Sequence, residues 1–263
     1  MKRITLTLLI LFLLPAYSFA IEDDTSKAQK LVQTITKDQL SIVKEFPGPD
    51  NLQGFVLKPK VGTPIIMFAD KEGKYAIFGN VFNPNGNSIT SQAHDKYVQP
   101  LIAKTIFNNL PKTTQFLQGN NDAKYKMVVV ADPNCIACHM LYDAMQTHIQ
   151  KGELQVKWVL VDYVKPSSPG KAAAILTAKD PAKAMADNEA GYQAKTEEGG
   201  IKPLNPIPEE IKKQLKANMQ FFSESGLNAT PTIIYKDQNG QYQFISGVPR
   251  DVSVFLQKVR PNI

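Results

Sequence analysis

The chain has two cysteines, and they stand three positions apart as Cys135-Ile136-Ala137-Cys138. Two thiols so close can close a disulfide with one another and so pass two electrons to or from a partner. Tyr125 to Ala131 (YKMVVVA) comes just before them and is the continuous β-branched run of a buried strand. Asp132-Pro133-Asn134 turns the chain, and Cys138 to Ile149 has helical spacing. Cys135 therefore falls at a helix N-terminus, where unpaired peptide N–H groups and the helix dipole favour a thiolate. A lowered thiol pKa makes Cys135 the attacking group near neutral pH. Cys138, one turn further in, is expected to be less exposed and to resolve a mixed disulfide on Cys135.

Other chemistries compete for the same residues. As a brace, a four-residue ring removes only about 2 kcal/mol of unfolded-state entropy, less than a longer loop would. A zinc site needs about four ligands, and His94, His139 and His148 supply no second pair at finger spacing. No metal is expected. Cys135 to His139 also matches the C-x-x-C-H pattern of haem attachment. Its position straight after a buried strand weighs against that reading, which a Soret band in the purified protein would revive. The expected redox group is the Cys135–Cys138 disulfide itself, with no bound cofactor.

These residues need a frame, and the second half of the chain alternates strand and helix. Leu154 to Asp162 reads as a strand, and Pro166 to Gly226 is a polar, Lys- and Ala-rich stretch with helical spacing in pieces. Thr232 to Tyr235 and Gln241 to Ser246 flank Asp237-Gln238-Asn239-Gly240, a hairpin signal, and a helix follows from about Arg250 to Val259. That order describes a thioredoxin-like domain over 119–263 with a helical insertion over about 166–226. In such a fold the loop at Thr230-Pro231 lies beside the cysteines. A cis bond there, accessible to X-Pro at modest cost, leaves the preceding backbone free to pair with an incoming peptide. An ordinary trans proline opening a strand fits the spacing equally well.

The first half reads as a small α+β unit over 21–90 and a linker helix over 91–118. Asp24 to Val43 is an amphipathic helix with Leu31, Ile35, Leu40 and Val43 inward. Strands follow at Gly54 to Lys58, Pro64 to Ala69 and Lys74 to Phe82. Helical spacing returns from Ser91 to Leu117 through Leu101, Ile102, Ile106, Phe107 and Leu110, with Pro100 and Pro111 to kink or break it. The unit is small for an ample core of its own, so an exposed sheet edge is expected to pair with a second copy.

Composition sets the outer bounds. With 263 residues, 43 % hydrophobic and 21 % charged, the chain is an ordinary globular protein of one or two domains. The net charge of +6 is spread along the sequence, and no basic stripe interleaved with aromatics marks a nucleic-acid surface. Lys2-Arg3, the apolar run Ile4 to Leu14, Pro15 and Ser18-Phe19-Ala20 form a leader over residues 1–20. The apolar run is shorter than the ~20 residues a bilayer span needs. Export to an oxidising compartment is expected, and cysteine pairs persist there.

Taken together, these segments resemble the DsbC/DsbG family of periplasmic disulfide isomerases. The likeness rests on Val130-Ala131-Asp132-Pro133 leading into the cysteines and on Val164-Lys165-Pro166-Ser167-Ser168-Pro169. Ala172 to Leu176, Lys179 to Lys183 and Ala229-Thr230-Pro231 extend it, as do Asp70 to Gly79 and Asn83 to Gly86. The resemblance implies a V-shaped homodimer joined through small N-terminal, cystatin-like domains, with two thioredoxin-like domains facing one cleft. It also implies a DsbD-like membrane reductant, misfolded or oxidised periplasmic proteins as substrates, and reduction of sulfenic acids by some members. By position, Cys135 is the nucleophile, Cys138 the resolving thiol and Thr230-Pro231 the cis-proline loop that meets substrate. Ile136-Ala137 departs from the proline-aromatic pair expected between such cysteines. Net oxidation, or a holdase with secondary redox activity, are the competing functions.

Overall fold

The computed structural model describes residues 26–60 and 62–261. The leader over residues 1–20 lies outside the described residues. Ser26 caps the first helix, α1 (Lys27–Thr36), by accepting the Gln29 N–H at 3.1 Å. The helix stops at Lys37 and Asp38, both at positive φ (48° and 55°), rather than running on to Val43 as its spacing suggests. Leu40–Pro47 is instead strand β1, the extended state that β-branched Ile42 and Val43 favour. The buried positions of α1 are accordingly Ala28 and Val32, while Ile35 and Val43 face solvent.

Strands β1, β2 (Leu52–Pro59), β3 (Ile65–Asp70) and β4 (Ala76–Ile77) form an antiparallel sheet in that order. Residues of β2 are buried on both faces. Phe55 and Leu57 pack with Val32 of α1, and Val56 joins Phe46, Ile66 and Phe68 on the other side. The third strand read from the sequence, Lys74 to Phe82, is cut to two paired residues, and Phe78 and Phe82 are left exposed.

The linker stretch, expected to be kinked or broken by its prolines, is in several pieces. Ile89–Ala93 (α2) passes through a π-helical turn at His94–Val98 into α3 (Gln99–Asn109). Pro100 sits in the first turn of α3, where its missing N–H costs nothing. Pro111 lies in a closing 3-10 turn. Phe116–Gln118 is not helical at all but strand β5, which pairs antiparallel with β7 (Leu154–Leu160).

A second sheet has the order β5-β7-β6-β8-β9, with β6 (Tyr125–Ala131) at its centre, β8 (Thr232–Lys236) and β9 (Tyr242–Ser246). Only β6 and β7 run parallel, joined by α4 (Ile136–Gln150). Alternation along β6 divides the core. Met127, Val129 and Ala131 meet Leu141 and Met145 of α4, whereas Val128 and Val130 meet Ile102 and Ile106 of α3. The expected insertion comprises α5 (Ser168–Thr177), α6 (Pro181–Ala190) and α7 (Glu209–Glu224). The last helix, α8 (Val252–Leu256), is shorter than its sequence signal and buries Val252, Phe255 and Leu256.

Candidate active site

Strand β6 ends in the turn Asp132-Pro133-Asn134, and the turn delivers Cys135 to α4 as its N-cap. The Cys135 sulfur accepts the Cys138 peptide N–H at 3.3 Å, the place a serine or aspartate oxygen takes at other helix starts. The Cys138 thiol lowers the Cys135 pKa to about 6, the Thr230 side chain and the Cys138 and Ala137 peptides add to it, and burial opposes it. Cys138, in the first turn of α4, is buried in the core, and burial together with the neighbouring sulfur pushes its thiol well up. The two thiols thus differ in both access and acidity.

All four residues picked out from sequence come together. The Thr230-Pro231 bond is cis, and the Cys135 sulfur lies 3.4 Å from the Thr230 carbonyl oxygen. Tyr163, just past β7, shares a 3.2 Å hydrogen bond with the Thr230 hydroxyl. Ile136, Met140 and Tyr163 are 41 %, 56 % and 45 % exposed, so large apolar groups stand open to solvent on α4 and at the Thr230 loop.

Sequence reasoning missed the polar frame behind the turn. Asp132 accepts the Asn134 N–H (2.9 Å), the Ser168 hydroxyl (2.7 Å) and the Val164 N–H (3.0 Å). Burial raises its pKa, against the pull of these donors. Asn134 donates to Ser167 and Ser168 and accepts the Gly199 N–H at 3.0 Å. From α6, Asn188 donates to the Pro133 carbonyl at 2.9 Å and to buried Glu189 at 3.0 Å. Glu189 in turn meets His139 Nδ1 at 2.9 Å, and burial pushes its carboxyl up. Tyr192 stacks on the His139 ring and donates to the Asn134 carbonyl at 3.1 Å. A Cβ at Gly199 would strike both the Asn188 side chain and the Pro133 carbonyl, which explains a glycine there. Asp132-Pro133-Asn134 reads from sequence as an ordinary turn, since Asp, Pro and Asn are all common turn residues, so the wider frame left no separate signal.

The fold and the unequal thiols define a thioredoxin-like thiol:disulfide oxidoreductase. The thioredoxin-like domain family matches residues 114–259. The chain is 31 % identical over 246 residues to the thiol:disulfide interchange protein DsbG of Escherichia coli K12, covering 92 % of this chain and 94 % of that one. It is 27 % identical over 219 residues to the DsbG of Pseudomonas aeruginosa, covering 83 % and 84 %. The catalytic domain of Proteus mirabilis ScsC is similar at 15 % identity and a TM-score of 0.44, over 59 % of this chain and 96 % of that chain. The chain belongs to the DsbG family of thiol:disulfide interchange proteins.

Proposed function

We propose that the protein is a periplasmic disulfide isomerase and reductase that works through Cys135 and Cys138. The observation that carries this reading is the asymmetry of the pair: a capping thiol with a pKa of about 6 against a buried one pushed well up. The Cys135 thiolate attacks one sulfur of a client disulfide, forming a mixed disulfide and releasing the other client sulfur as a thiolate. That thiolate can attack a different client disulfide, and the eventual return of Cys135 as thiolate leaves the electron count unchanged. Alternatively Cys138 gives up its proton and attacks the Cys135 sulfur. The client then leaves with two thiols, and the protein holds the Cys135–Cys138 disulfide until a DsbD-like membrane reductant restores it. Thr230 and Pro231 border the attacking sulfur where an extended client backbone would lie. The open apolar groups Ile136, Met140 and Tyr163 suit unfolded segments rather than a small polar substrate.

Refolding of a scrambled multi-disulfide protein tests the reading. The parent should recover native pairing under reducing buffer, Cys135→Ser should recover none, and Cys138→Ser should accumulate mixed disulfides. Trapping the thiols in cells separates isomerase from oxidase, since an isomerase is held reduced and a net oxidase oxidised. A double cysteine variant that still prevents aggregation as well as the parent would favour the holdase function.

A further inference from the structure

Cys135 reacts as an anion, and the side chains between the cysteines, Ile136 and Ala137, carry no donor to meet its charge. Thr230 offers the sulfur two opposite groups. Its carbonyl oxygen, 3.4 Å from the sulfur, can only accept, so it favours the protonated thiol. Its hydroxyl can donate, and the Thr230 side chain is among the groups that lower the Cys135 pKa. A hydroxyl has one proton and turns to suit its neighbours. Whatever fixes that rotation decides which form of Cys135 the loop favours.

Tyr163 is placed to fix it. Its phenol oxygen lies 3.2 Å from Thr230 Oγ1. The ring stacks on Phe222 of α7 at 5.3 Å, and Asp132 holds the next peptide, the Val164 N–H, at 3.0 Å. Ring and backbone are both anchored, so the phenol oxygen stays at Thr230. The titratable groups facing this corner are the two thiols, Asp132 at the turn after β6 and the adjacent Asp162, with Tyr192 also near the thiols. Burial pushes the Tyr163 phenol pKa up, with the thiols and Asp132 adding to it and the Thr230 bond opposing. The phenol therefore keeps its proton over the range in which Cys135 ionises. Donation to Thr230 occupies a lone pair of Oγ1 and leaves the Thr230 proton for the sulfur, and hydrogen bonds chained in this way polarise one another. We propose that Tyr163 is a positioning residue for the thiol exchange: its hydroxyl donates to Thr230 Oγ1 and so directs the Thr230 hydroxyl proton onto the Cys135 thiolate. This role rests on the reading of Cys135 as the attacking group.

Alkylation of Cys135 against pH in Tyr163→Phe, which removes one oxygen and keeps the ring on Phe222, tests the role. The acidity constant of Cys135 should fall about threefold, the share of a charge-assisted bond that a polarising second donor supplies. Alkylation should accordingly be about threefold slower well below the parent midpoint and no slower well above it, where the thiol is ionised in both proteins. Thr230→Val keeps the β-branched shape and removes the hydroxyl. It should lower the acidity at least as much, and Tyr163→Phe added to it should change nothing more. An unchanged midpoint in Tyr163→Phe beside an acidic parent thiol overturns the role and leaves the thiol chemistry standing. A parent Cys135 of ordinary acidity overturns both. If Tyr163→Phe still shifts the midpoint when Thr230→Val is present, the hydroxyl acts by another route and the relay falls. A loss of refolding activity with the midpoint unmoved assigns Tyr163 to client contact alone and overturns the role as well.

Discussion

At Cys135 a sulfur replaces the oxygen that usually caps a helix, so the group that satisfies the first peptide donors is also the one that reacts. Its acidity owes most to the Cys138 thiol, with burial working against it. The alkylation rate of Cys135 against pH should therefore show a midpoint near 6, and Cys138→Ala should move that midpoint upward. An unchanged midpoint would show that Thr230 and the helix-start peptides set the acidity without the Cys138 thiol. A stability consequence follows with a definite sign. A thiol whose folded pKa is depressed stabilises the reduced fold above its unfolded pKa, and that stabilisation is lost as pH falls through about 6. The reduced protein should thus gain on the oxidised protein as pH rises from about 6 towards 9.0, the thiol's ordinary value. Thermal unfolding of both forms across that window checks it, and a gap that narrows with rising pH contradicts the assignment.

Between elements, the insertion acts as a clamp on the turn that carries Cys135. Its α6 end grips Pro133 through Asn188 and His139 through Glu189, so the turn is held from both sides of the dithiol. Asn188 is fully buried, and Asn188→Ala strands the Pro133 carbonyl and one oxygen of Glu189. The cost should be about 1–3 kcal/mol, read from the urea midpoint. If the clamp also positions the cap, the Cys135 titration should shift upward in the same variant, an effect that loss of stability alone would not produce. Helix α3 makes a second joint. Ile106 is fully buried and belongs to a cluster that includes Phe68 of the first sheet and Val130 of the second. Ile106→Ala should cost about 2–5 kcal/mol. The parent should unfold in one transition by both circular dichroism and the fluorescence of Trp158, since the two sheets share that core. Two separated transitions would show that the units fold independently.

For the whole molecule, the first sheet ends at β4 after two paired residues, and beyond it Phe82 forms only a single bridge, to Ser88. Phe78 and Phe82 are 70 % and 60 % exposed, an unusual amount of aromatic surface at a sheet edge. A second copy meeting this edge around a two-fold axis would bury both sets at once. Light scattering of the parent should therefore give a mass near two chains, and Phe78→Asp with Phe82→Asp a mass near one. The monomeric variant should still reduce simple disulfides and lose most of its refolding activity on a scrambled client. A parent mass near one chain rules out the pairing.

The sequence alone located the two thiols and the elements that carry them. Local signals do this well: a β-branched run, a turn and a helical period put Cys135 at a helix start, and the hairpin at Asp237 to Gly240 fixed β8 and β9. It also overran where local signals compete. The helical period of α1 continued into Leu40 and Val43, but two left-handed residues ended it and a neighbouring strand claimed what followed. Phe116–Gln118 reads as the tail of a helix and is a strand because β7 offers it an edge. Only the tertiary structure decided the polar frame, since Asp132, Ser168, Asn188 and Gly199 become neighbours through chain reversals that no short-range spacing encodes. The same holds for Lys126, Lys157 and Lys236: each is an unremarkable charge in sequence, and only strand register brings them to one face.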